Sequence, residues 1–153
     1  MNEKNVVELK LKTSANPKTA ARLCAVQACY SLLIDVEQEK ETALNAAFEI
    51  MQRDNIKVKR KFSESLLDFY LAEREALEQI ITKYLEKDKT IDKVNPLLLA
   101  ILSIALAELS ADKETPRAIL MSEYLFIASE FFNGAETGFI NAVLDKFIKD
   151  DDL

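Results

Sequence analysis

The chain of 153 residues contains no histidine and no tryptophan, only two glycines, three prolines and two cysteines. Without histidine there is no Ser-His-Asp or Cys-His catalysis, no His-containing zinc site and no Glu-x-x-His di-iron site. Two glycines cannot build a phosphate loop of the GxGxxG or GxxxxGK[ST] type. So few turn-forming residues also disfavour a many-stranded fold, whereas Ala, Leu, Glu and Lys, which are good helix formers, are abundant. Cys24 and Cys29 lie five positions apart, about 140° around a helix, so they do not converge on a metal or on each other and read as small core residues of a reduced cytoplasmic protein. The start of the sequence lacks a signal-peptide pattern, and the apolar stretch Leu97 to Ala107 is interrupted by Ser103 and too short for a bilayer. No membrane association is expected.

What is present is enough apolar material, 49% of residues, for the core of one domain. Residues 1–16 carry no helical period and read as a mobile or extended arm. Residues 17–148 form the helical domain, and 149–153 an acidic tail. Asn16-Pro17, Asn95-Pro96 and Thr115-Pro116 each pair a capping side chain with a proline at the first helical position, so every proline marks a helix start. Leu23, Val26, Tyr30 and Leu33 then give one apolar stripe, and Leu44, Ala47, Phe48 and Met51 a second within Thr42 to Arg53. Phe62 to Lys87 supports one long helix or two, with Glu73-Arg74-Glu75 as the point of interruption. Asn95 to Ser110 is apolar on nearly all sides and reads as the central helix. Asn133-Gly134 reads as a left-handed helix end, followed by a last helix carrying Phe139, Ile140, Val143, Leu144 and Phe147. The fold class is therefore all-α, a compact bundle of six to seven helices.

The net charge of −6 excludes a uniformly basic nucleic-acid binder but not a basic face. From Lys10 to Arg22 every charged residue is positive: Lys10, Lys12, Lys18 and Arg22. A second basic run holds Arg53, Lys57, Lys59, Arg60 and Lys61, with Asp54 its only acid. Acid gathers at Asp35 to Glu41 and Asp150 to Asp152. These runs read equally as a contact face or as solvated surface. Glu123, set among Ile119, Leu120, Met121, Tyr124, Leu125 and Phe126, either points outward or meets a partner. Phe139 follows Gly134 to Gly138, where a loop and a helix N-terminus could face phosphate, and its ring could stack on a base.

Three segments carry more than periodicity. Ala21-Arg22-Leu23-Cys24-Ala25-Val26-Gln27-Ala28-Cys29-Tyr30 resembles the first-helix signature of the NusB family. Phe139-Ile140-Asn141-Ala142-Val143-Leu144-Asp145-Lys146 resembles its closing motif F-V-N-G-V-L-D-K, and Ile101 to Leu109 its I-L-R-x-A-x-x-E-L helix. Pro116 and Glu123 match in order and spacing. The resemblance implies two packed three-helix subbundles and no cofactor or enzymatic activity. It also implies a role in transcription antitermination: binding of single-stranded boxA RNA from ribosomal RNA leaders together with the small-subunit ribosomal protein NusE, in the transcription elongation complex. It maps RNA binding onto Lys18, Arg22, Gln27, Tyr30 and Phe139, while Glu123 stays a candidate partner contact from its apolar surroundings and the NusE-contacting residues stay open. It leaves open whether the free protein is a monomer or a homodimer. The family's run of arginines is thinned here to Lys18-Thr19-Ala20-Ala21-Arg22, Ser103 stands in place of an arginine, Ser122 of an asparagine and Ala142 of a glycine. The alternative on the same fold is a protein-interaction module with weak or lost RNA binding.

Overall fold

Pro17 and Pro96 begin helices because proline needs no hydrogen-bond acceptor in the first turn and the asparagine before each satisfies the next free donors. In a computed structural model, which describes residues 16–151, Asn16 Oδ1 accepts from Lys18 N at 2.8 Å, and Asn95 Oδ1 accepts from Leu97 N at 2.9 Å and Leu98 N at 3.3 Å. The helices are α1 (Pro17–Ile34), α2 (Lys40–Arg53), α3 (Arg60–Lys83), α4 (Pro96–Ala111), α5 (Arg117–Phe131) and α6 (Gly134–Asp151), with a 3₁₀ turn at Ile91–Lys93. Among the described residues there is no strand. The expected arm 1–16 lies outside them except for Asn16, as does the end of the acidic tail. Residues 149–151 continue α6.

The long third helix is continuous but kinked. Glu73 has φ −111° and ψ 17°, outside helical values, within the polar stretch flagged by the sequence. It ends at Lys83, before the expected Lys87, because the donors of Tyr84 and Leu85 turn back to Ile81 and Thr82 in tight i→i−3 bonds.

Two expectations are corrected. Pro116 is the N-cap of α5 and not its first helical residue, and Thr115 does not cap it. Asp112 takes up the threonine instead: its carboxylate accepts from Glu114 N, Thr115 N and Thr115 Oγ1 at 2.9, 3.0 and 2.6 Å. Arg117 then donates to the last carbonyls of α4, Leu109 O at 2.7 Å and Asp112 O at 3.0 Å. Asn133-Gly134 is not a left-handed stop either. No glycine has positive φ, α5 ends at an extended Phe132, and Gly134 is the first residue of α6.

The helices fall into two units, divided between Asp68 and Phe69. In the first, α1 packs on α2, and the start of α3 is bonded to α1. Ala20 to Cys29 are all buried, with Leu44, Ala47, Phe48 and Met51 of α2. In the second, α4 packs against α5 and α6. Leu98 to Leu109 are buried in an unbroken run, as an all-round apolar helix requires.

Each core carries polar atoms that need partners. Glu108, 1% exposed, receives the hydroxyl of the fully buried Tyr124 at 2.6 Å. Ser103 Oγ is buried with no hydrogen-bond partner. Cys24 and Cys29 are free and buried, and burial pushes the Cys24 thiol up to about 12, against the opposing pull of the Arg60 charge.

These groups make two predictions. Tyr124→Phe strips a buried carboxylate of a short hydrogen bond and should cost about 1–3 kcal/mol in urea unfolding, whereas Ser103→Ala, which removes an unpaired hydroxyl, should be neutral or stabilise by up to about 1 kcal/mol. Cys24 should resist a thiol reagent at pH 8 while the protein is folded and react on denaturation, because only the thiolate attacks. Since its folded pKa lies above the ordinary value of 9.0, the stability it contributes is present below pH 9 and is lost as pH rises towards about 12.

Candidate nucleic-acid interface

The first turn of α1 has no acidic residue, so the positive end of the helix is reinforced by Lys18 and not offset. One turn on, Arg22 follows on the same face. Both cations lie over one aromatic ring at the start of α3: Lys18 Nζ is 4.8 Å and the Arg22 guanidinium carbon 5.3 Å from the centroid of Phe62. These are cation–π distances. Ser63 Oγ, fully buried, donates to Ala21 O at 2.8 Å, and Lys59 N donates to Pro17 O at 3.2 Å. The two bonds dock the beginning of α3 along the beginning of α1.

That docking decides what each expected RNA residue can reach. Lys18 is half-buried, with its ammonium over the Phe62 ring. Arg22 is only 5% exposed, so its charge, over the Phe62 ring, contributes to the local field more than to direct contact. Gln27 is 9% exposed. Tyr30 is half-buried, about two turns beyond Arg22 and about 80° around the helix. In the first unit, therefore, the structure brings Lys18 and Arg22 together and leaves Gln27 and Tyr30 further along α1.

Phe62 was not legible as a site residue, since nothing in its local sequence ties it to residues 44 and 40 positions earlier. The second basic run was visible, but its neighbour was not. Asn55, with φ 58°, turns the chain out of α2, and Ile56, 6% exposed, anchors it. Arg53 pairs with Asp54 at 3.5 Å, and the Arg60 guanidinium lies 5.0 Å from the centroid of Phe48.

Phe139 belongs to the second unit. Gly134 to Gly138, expected to form a loop before it, are the opening of α6, so Phe139 sits in the second turn of a helix. It is half-buried and lines a cavity of about 510 Å³ with Tyr84, Glu86, Lys89, Lys93, Asn95 and Glu136. The Tyr84 hydroxyl donates to Asp150 Oδ2 at 2.8 Å. Burial first, and then that bond and the carboxylate charge, raise the Tyr84 pKa above its ordinary value. Lys146 Nζ lies 5.8 Å from the Tyr84 centroid. On α5, Glu123 is half-buried between the exposed Ile119 and Phe126. Among the described residues no group of acids and thiols is placed to hold a metal ion, and no helix is long and apolar enough to cross a membrane.

Comparison with known proteins identifies the family. The sequence model of the NusB family matches residues 19–149. The transcription antitermination protein NusB of Bartonella tribocorum is 33% identical over 143 residues, covering 89% of this chain and 90% of that protein. The protein of the same name from Rickettsia massiliae is 30% identical over 145 residues, covering 88% and 93%. In structure, T. maritima NusB superposes with a TM-score of 0.74 at 20% identity, covering 91% of this chain and 93% of that one. A chain from a crystal structure of the antitermination factors NusB and NusE with double-stranded RNA gives 0.72 at 21% identity, covering 86% and 96%. The family match spans both helical units and takes in the first-helix, α4 and closing motifs, so the chain belongs to the NusB family.

Proposed function

We propose that this protein is a non-enzymatic transcription antitermination factor that works in the cytoplasm, binding boxA RNA of ribosomal RNA leaders with NusE in the transcription elongation complex. The observation that carries the reading is the cationic end of α1, where Lys18 is held over Phe62 by the docked start of α3. Family membership supports it, as does the presence of NusE and RNA with a structurally similar chain. Lys18 supplies a phosphate contact, and the buried Arg22 strengthens the field around it. In the second unit Phe139 lines a cavity that carries charges of both signs, Lys89 and Lys93 with Glu86 and Glu136, and its ring supplies an aromatic face on which an unpaired base can stack. Gln27 and Tyr30 are the remaining candidates, and Glu123 on α5 is our candidate for the protein partner.

A second reading, a protein-interaction module that has lost RNA, is favoured by one observation: Arg22 is almost fully covered. Fluorescence anisotropy with a labelled boxA RNA, with and without NusE, over a salt series decides between them. Saturable binding that tightens with NusE and weakens with salt is expected, and Lys18→Glu should reduce it several-fold. Binding in neither state contradicts the proposal. A NusE complex that leaves RNA affinity unchanged from zero selects the second reading.

A further inference from the structure

The second basic run lies outside the first-helix, α4 and closing motifs. Lys57, Lys59, Arg60 and Lys61 are all exposed. Burial alternates along the segment that leads to α3: Ile56 is buried, Lys57 exposed, Val58 half-buried and Lys59 exposed. The apolar residues anchor the segment and the lysines project from it. Lys59 is bonded through its backbone to Pro17, the residue before Lys18. Two runs some 40 positions apart in sequence are thus joined at one edge of the first unit.

Among the described residues, acids do not cancel this charge. Among the described residues none of Lys18, Lys57, Lys59 or Lys61 has an ion-pair partner. Asp54 is taken by Arg53. The nearest acids along α3 are Glu64 and Asp68, and both act on Lys40 of α2: Asp68 pairs with it at 2.7 Å, and Asp68 first, with Glu64 contributing, raises its pKa. Neither α1 nor α3 has an acid in its first turn. On a chain of net charge −6, four lysines without an ion-pair partner among the described residues, clustered at two joined helix starts, are not what solubility requires.

We propose that Lys57, Lys59 and Lys61, with Arg60, extend the Lys18 face into a track for the sugar-phosphate backbone of single-stranded RNA. The inference rests on the RNA-binding reading above and adds the residues that replace the family's thinned arginine run. Lysines act here as point charges and contact phosphate without reading sequence, so the track supplies affinity and register while selectivity comes from elsewhere.

The test compares the full chain with Lys57→Gln/Lys59→Gln/Lys61→Gln, and with the triple Lys→Arg variant, by anisotropy on boxA and scrambled RNAs with NusE present. All three positions are exposed, so thermal unfolding and NusE affinity should be unchanged. Loss of three phosphate contacts should weaken binding about tenfold to a hundredfold at about 0.1 M salt on both RNAs, and lower the slope of log K against log salt by about 2. The arginine variant should bind as the parent does. A glutamine variant with the parent's affinity and slope overturns the inference and leaves the RNA reading standing; a parent chain that does not bind RNA overturns both.

Discussion

The stacking of Lys18 and Arg22 on Phe62 is the contact on which the first helical unit turns. An arginine that is 5% exposed carries a large desolvation cost, and it persists only where other groups stabilise its charge. Phe62 contributes a ring face, worth up to about 2 kcal/mol when water is excluded, and the Ser63 and Lys59 hydrogen bonds to α1 fix that ring in place. The same docking carries Lys57, Lys59 and Lys61 to the edge where Lys18 emerges. Stability and surface chemistry therefore have one origin. Residues that the sequence presents as two separate charge runs meet because Lys59, within the second run, is bonded to Pro17, within the first.

The second unit solves a different problem. Its central helix is so uniformly apolar that almost any position faces the interior, and Glu108 is drawn in with it. Tyr124 answers that carboxylate from α5, while Arg117 and Asp112 close the α4–α5 turn. A buried polar pair of this kind adds little net stability but penalises any register that leaves one partner unmatched. It fixes α5 on α4, and α5 carries Glu123, Ile119 and Phe126 on view.

Helix identity was legible in the sequence wherever a local signal was sufficient. Asn-Pro at residues 16–17 and 95–96 gave the helix starts, the spacing of Leu44, Ala47, Phe48 and Met51 gave the buried face of α2, and Glu73 marked the kink. Errors arose where two local signals compete. Thr115 could cap α5, but Asp112 offers a stronger acceptor three residues back. Gly134 could stop α5, but the chain is already extended at Phe132, and glycine is tolerated at a helix start. The candidate site was legible only as single residues. Lys18 and Phe139 are candidates that the sequence already offered, whereas the burial of Arg22 beside Phe62 was not legible, because no spacing rule connects residues on different helices.

The central claim is that the RNA-contacting charge of the first unit lies on Lys18 and on the segment from Lys57 to Lys61 together. Lysine acetylation under limiting reagent, read by mass spectrometry with and without boxA RNA in the presence of NusE, tests it most directly. Protection of Lys18, Lys57, Lys59 and Lys61 by RNA, with Lys113 labelled equally in both states, is the predicted result. Equal labelling of those four lysines with and without bound RNA would contradict the account.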